Sequence, residues 1–209
     1  MFELFFAVLG SLFSLVNPMG AVPVFLAMTP HATNEERTKT AFQTSIYFTL
    51  ILLAFFFAGT AILSFFGISL NAMRIAGGLV ILTSGFSLLG GKFAEGRAIN
   101  QKVKEEAIVK EDISFSPLAM PLLSGPGSIS YLIGVYSELT TWTAILVIAG
   151  VILIMGGIVN LILRFSPYLH KLLGVAGLKA MSRIMGFLVM AIGIQYIIMG
   201  IVDLVKVLA

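Results

Sequence analysis

Residues 14–25 read SLVNPMGAVPVF and residues 121–132 read PLLSGPGSISYL. Each lies in a stretch apolar enough to cross a bilayer, and each interrupts it with residues that a helix interior tolerates poorly. Proline removes an N–H and clashes with the preceding turn, while glycine loses more backbone freedom on ordering than any other residue. Polar groups freed in hydrocarbon are costly unless something satisfies them, so irregular backbone at membrane depth is either buried in protein or lines a wet cavity. The two stretches are expected to be discontinuous spans whose half-helices meet near the bilayer midplane.

The surrounding chain has the composition of a membrane protein. Only 11% of the 209 residues are charged and 58% are hydrophobic, against about 25% charged in soluble domains. Mean hydropathy is +1.04. Uncharged runs cover 4–30, 40–73, 75–91, 113–137, 139–163 and 184–202. A hydrocarbon core about 30 Å thick needs roughly 20 helical residues, so each run can hold a span, the second with room for a turn around Phe66-Gly67. A soluble bundle would keep a polar face on its helices, which these runs lack. The start, Met1-Phe2-Glu3, carries no cationic segment, and no small-x-small cleavage site follows, so the first run is expected to be a true span. Cysteine is absent, which excludes disulfides and thiolate chemistry.

Basic residues orient the spans. The 1–2, 3–4 and 5–6 connections share one side of the membrane and hold every Lys and Arg except Arg74 and Lys206. The positive-inside rule puts those connections in the cytoplasm and both termini outside, in a cell membrane. A pI of 9.3 is explained by these flanking charges, and no nucleic-acid partner is expected. Segment 92–112, with its KVKEEAIVKED run, reads as a solvated cytoplasmic linker.

The halves on either side of it, 1–91 and 113–209, resemble each other. RIAGGLV at 74–80 matches RIMGFLV at 183–189 in five of seven places. Pro18 and Pro126 stand 108 residues apart and Arg74 and Arg183 109 apart, so the interruptions also occupy equivalent places. Three spans per half give the halves opposite topology, with Arg74 at the outer surface and Arg183 at the inner one. The expected fold is all-α: six transmembrane helices in two inverted three-helix repeats, with the first and fourth spans broken. That architecture is typical of secondary transporters, whose substrate sits at the midplane between repeats.

The candidate substrate-binding residues are therefore Asn17, Pro18, Gly20, Ser124, Gly125, Pro126, Gly127 and Ser128. Helix N-termini accept a carboxylate through free N–H groups, and freed carbonyls accept an ammonium or a cation. No ionisable residue lies centrally in any span, which suits a zwitterion better than a multivalent ion. Asn160 and Gln195 are expected to hydrogen-bond between helices, and Gly77-Gly78, Gly90-Gly91 and Gly156-Gly157 to permit close packing. The spans offer neither a nucleophile with its base nor paired carboxylates, so an enzyme is not expected. No metal or cofactor site is expected either. A channel would need a charge ring or a carbonyl filter. The rival of another class is a membrane scaffold that recruits partners through 92–112.

The stretch NPMGAVPVFLAMT at 17–29, together with AMPLLSGPGSI at 119–129, resembles the MarC family of membrane proteins, and the resemblance extends over the full chain. It implies transport of small neutral amino acids of the glycine, alanine and serine class, coupled in some members to the proton gradient and running as export in others; a proton or sodium ion is the expected coupling partner here. On this sequence the family motif falls on Asn17, Pro18, Gly20 and on Ser124 to Gly127.

Overall fold

The computed structural model describes residues 1–91 and 112–208. Almost all of the linker expected at 92–112 lies outside the described residues, and with it the loop of the scaffold reading. Seven α-helices and one irregular helical segment follow each other along the chain, with no strand among the described residues. They are α1 (Phe2–Val16), α2 (Pro18–Met28), α3 (Asn34–Phe65), α4 (Leu70–Leu89), the segment Ser114–Leu123, α5 (Pro126–Glu138), α6 (Trp142–Arg164) and α7 (Ser166–Leu208). Five stretches are long and apolar enough to span a membrane: Phe2–Met28, α3, α4, α6 and Ser166–Lys206; Ser114–Leu123 with α5 makes a sixth if that bent pair is one span.

Local chemistry sets most of the helix starts. Thr33 and Glu36 form a capping box, the Thr33 hydroxyl accepting from Glu36 N at 3.2 Å and the Glu36 carboxylate accepting from Thr33 N at 2.7 Å. Ser69 caps α4 and Thr141 caps α6 with the side-chain oxygen alone, accepting from Ala72 N and Ala144 N. The turn expected around Phe66-Gly67 separates α3 from α4, with Gly67 at φ 66°, a left-handed conformation that glycine adopts freely. The 32 residues of α3 extend about 48 Å, well beyond the hydrocarbon core. Likewise α7 starts at Ser166, far ahead of the uncharged run at 184–202, and turns at Gly174, φ 62°. Charges at Lys171, Lys179 and Arg183 bound the apolar run without ending the helix.

Packing pairs the helices in a regular way: α4 runs along α7, α3 along α6, α1 and α2 lie against α6 and α7, and Ser114–Leu123 with α5 lies against α3 and α4. Phe25, Phe48, Phe56, Leu12, Leu52 and Leu132 are fully buried in the shared core. Phe2, Phe65, Leu146 and Phe187 are among many large apolar side chains on the outside, the surface expected of a protein whose solvent is lipid.

The α4–α7 pair is the tightest contact. A side chain on Gly193 would meet Leu82 N at 2.7 Å and Gly78 O at 2.9 Å, and one on Gly85 would meet Gly186 O at 2.9 Å. Glycines spaced by seven on each helix face each other backbone to backbone in antiparallel register. Of the expected packing glycines, Gly77, Gly78 and Gly156 do sit against neighbours, whereas Gly157 faces open space and Gly91 makes a left-handed turn. Gln195, expected to bond between helices, is on an exposed face, and Asn160 Oδ1 is buried with no hydrogen-bond partner among the described residues.

Candidate functional site

The first interruption is a single residue. Asn17 adopts the left-handed conformation (φ 47°, ψ 62°), ends α1 and starts α2. Asparagine is one of the few non-glycine residues that enters this region readily. Its own N–H closes the last turn of α1 on Phe13 O at 2.9 Å. Its Oδ1 accepts from Gly20 N at 3.3 Å, so it serves as the N-cap of α2, with Pro18 at the first helical position. Pro18 has no N–H to offer the carbonyl of Ser14. Asn17 is fully buried, and its Nδ2 donor has no partner among the described residues. Gly20 lies beneath it: a Cβ there would sit 2.5 Å from Asn17 Nδ2 and 2.8 Å from Ser182 Oγ. Asn17, Pro18 and Gly20 are thus packed against α7, and the helix continues without a large bend.

The second interruption is wider. Ser116 and Met120 each precede a proline and are extended, with ψ of 122° and 127°, because the proline ring excludes the α region for the residue before it. Pro117 and Pro121 follow cis peptide bonds. Between them the backbone makes wide turns, Leu118 N to Ile113 O and Ser124 N to Ala119 O at 2.8 Å. The chain then bends by 65° into α5. Gly125 is the N-cap of α5 and supplies no side chain, and Pro126 is the first helical residue. The Ser128 hydroxyl turns back to donate to Gly125 O at 2.9 Å. Ser124 is fully buried and its hydroxyl lacks a hydrogen-bond partner among the described residues.

A cleft opens at this second bend. Its volume is about 10 Å³, room for about one water molecule, and Gly125, Pro126, Gly127 and Ser128 form one wall. The opposite wall is Ile81 and Ser84 of α4, Val189 of α7 and Leu15 of α1. Leu15 is two residues from Asn17, so the first interruption approaches the cleft from the side. Of the eight sequence-derived residues, Gly125 to Ser128 line the cleft, Ser124 adjoins it, and Asn17, Pro18 and Gly20 do not line it. The apolar lining residues Leu15, Ile81 and Val189 carry no sequence signal that sets them apart from other core positions.

The α5 N-terminus gives the cleft its electrostatic character. The first turn of a helix presents N–H groups without intrahelical partners, equivalent to roughly half a positive charge. No side chain caps this one, and Gly127 and Ser128 of its first turn line the cleft. Such a helix start attracts a carboxylate or another small anionic group, and the cleft in this conformation is too small to enclose one.

The MarC family integral membrane protein description matches residues 2–205. A membrane protein of Buchnera aphidicola from Schizaphis graminum is 40% identical over 200 residues, covering 96% of this chain and 92% of the relative. The Escherichia coli membrane protein YhcE is 37% identical, covering 96% and 93%. The inner membrane protein MarC of Salmonella typhimurium is 33% identical over 99% of each chain. No solved structure matches. With the family description matching nearly its whole length, the chain belongs to the MarC family of integral membrane proteins.

Proposed function

We propose that the protein is a secondary transporter for small neutral amino acids of the glycine, alanine and serine class. One observation carries this reading. At the two interruptions a fully buried polar atom, Asn17 Nδ2 and Ser124 Oγ, has no hydrogen-bond partner among the described residues, and the uncapped start of α5 lines a cleft next to the second. Buried polar atoms without partners are rare and expensive, and a polar ligand would supply what they lack. In this reading the substrate carboxylate lies on the Gly127 and Ser128 N–H groups. Asn17, Ser124 and Ser128 orient the molecule, and carbonyls freed at the interruptions hold its ammonium. Pro18 and Pro126 keep the two starts from zipping into continuous helix, and the cramped space beside Gly125 and Gly127 suits only short side chains.

The helix pairing supports two inverted repeats. Exchanging the first three spans with the last three leaves the pattern unchanged: α4 with α7, α3 with α6, and each interrupted span against the last two helices of the other half. Alternating access then comes from movement between packed units around the central site, driven by a proton or sodium ion. The basic connections support a topology with both termini outside a cell membrane. No catalytic step is required of any residue.

Thermal unfolding of the detergent-purified protein against a panel of amino acids tests the cargo. A ligand specific for the folded state stabilises it by about 2.7 kcal/mol at a hundredfold excess over Kd. Glycine, alanine and serine should raise the transition while leucine and glutamate leave it unchanged. A folded protein that responds to no amino acid would rule the reading out.

A further inference from the structure

On one side of the cleft, α5 is sealed against α4 and α7 in three layers. Nearest the cleft, the Ser130 hydroxyl contacts Met73 Sδ at 2.9 Å, and any side chain at Gly77 would overlap Ser130. Next, the Tyr196 hydroxyl donates to the Tyr131 carbonyl at 2.6 Å, with the two rings 5.6 Å apart. Beyond them, at the end of α5, one guanidinium nitrogen of Arg74 meets Glu138 and the other meets Asp203, both at 2.6 Å. The Arg74 side chain is 5% exposed, whereas Glu138 and Asp203 are 51% and 40% exposed. The cation lies beneath and the acids form the rim.

The two acids belong to different packing units. Arg74 is on α4 and Asp203 on α7, the helices joined backbone to backbone by their glycines. Glu138 is the last residue of α5, which follows the 65° bend and is the helix whose start lines the cleft. We infer that Arg74 and Glu138 form the outer latch of the transporter, with Asp203 as the permanent counter-ion that lets the latch open. The inference rests on the transport reading above. When α5 pivots at its bend to expose the cleft to the outside, the Arg74–Glu138 pair separates while Arg74–Asp203 moves as part of the α4–α7 unit. A buried guanidinium without a partner would be strongly destabilising. Asp203 removes that penalty in the open state, so Glu138 is free to part from Arg74 at modest cost, since its exposed half regains water.

The absence of cysteine from the chain makes a single Ser130→Cys a unique reporter inside the seal. In intact cells it is treated with a membrane-impermeant thiol reagent from outside. Glu138→Gln in this background should speed labelling roughly tenfold, because a lost latch contact shifts population towards the open form. Asp203→Asn should instead lower the amount of folded protein, with no matching rise in labelling of what remains. Unchanged labelling in folded Glu138→Gln protein would overturn the latch. Equal acceleration by Asp203→Asn would overturn the division of roles. Labelling needs no amino acid, so this experiment and the ligand panel can fail separately.

Discussion

The two interruptions share a sequence plan, a proline at the first helical position after a turn, and they behave differently. The first is closed on itself: Asn17 caps the helix it begins, Gly20 is roofed by Asn17 and Ser182, and the span runs on. The second is open: Gly125 offers no cap, the chain bends by 65°, and the new helix begins against a cleft. The residue before the proline accounts for the contrast. Asparagine carries its own acceptor to the exposed N–H groups, and glycine leaves them for something else. One interruption is chiefly a joint of the scaffold, with only Asn17 Nδ2 left for a ligand, and the other presents an open helix start.

Substitutions should separate these roles, beginning with the largest effect. Gly20→Leu should destabilise by about 3 kcal/mol, the upper end of the cost of overpacking, since even a Cβ collides with the buried Asn17 and Ser182 side chains. Thermal unfolding in detergent reads this directly. Asn17→Ala loses the cap and strains a left-handed residue, at about 1–3 kcal/mol. Asn17→Gly keeps the backbone and should cost only a few tenths of that. Equal losses for both would mean that the conformation of Asn17 is unimportant. Gly127→Leu should reduce stability by no more than about 1–2 kcal/mol, because its nearest neighbour is the Ile81 side chain at 3.1 Å and a side chain can yield. It should nevertheless abolish the response to glycine and alanine. Ser124→Ala should be close to neutral without ligand, within about 0.5 kcal/mol, because its hydroxyl makes no bond to lose. Its effect should appear only as weaker ligand-induced stabilisation. A large loss of stability from Ser124→Ala in ligand-free protein would erase the distinction between joint and site.

Much of this arrangement is legible in the chain. Charge-free runs mark the spans because hydrocarbon excludes ions, and Pro18 and Pro126 mark the interruptions because proline cannot donate. The T-x-x-E signal at Thr33–Glu36 also predicts the start of α3, although hydropathy alone draws the eye six residues further on. Other features depend on the partner across the gap. Asn17 and Gly125 are equally plausible ligand residues in sequence, and only the geometry separates the cap from the open helix start. The sequence puts Arg74 at the outer end of its span but carries no sign that it is buried there, where Glu138 and Asp203, 64 and 129 residues away, converge on it. Irregular backbone likewise begins earlier than the SGPG motif suggests, at Ser116, because Pro117 constrains its predecessor just as Pro121 does. The left-handed turn at Gly174 lies in a sequence, LLGVAGL, that reads as continuous helix.

The glycine faces of α4 and α7 also bear on how the protein is made. Gly78 and Gly85 of α4 are shaped for a backbone surface that is not synthesised until Gly186 and Gly193 emerge, about a hundred residues later. Until then α4 waits in the bilayer with its closest-packing face against lipid. A nascent chain arrested after α6 therefore holds every span but the last and none of this seam. Cellular surveillance of unpaired membrane helices would meet this protein as a late-completing chain, whose last helix decides whether the earlier ones are kept.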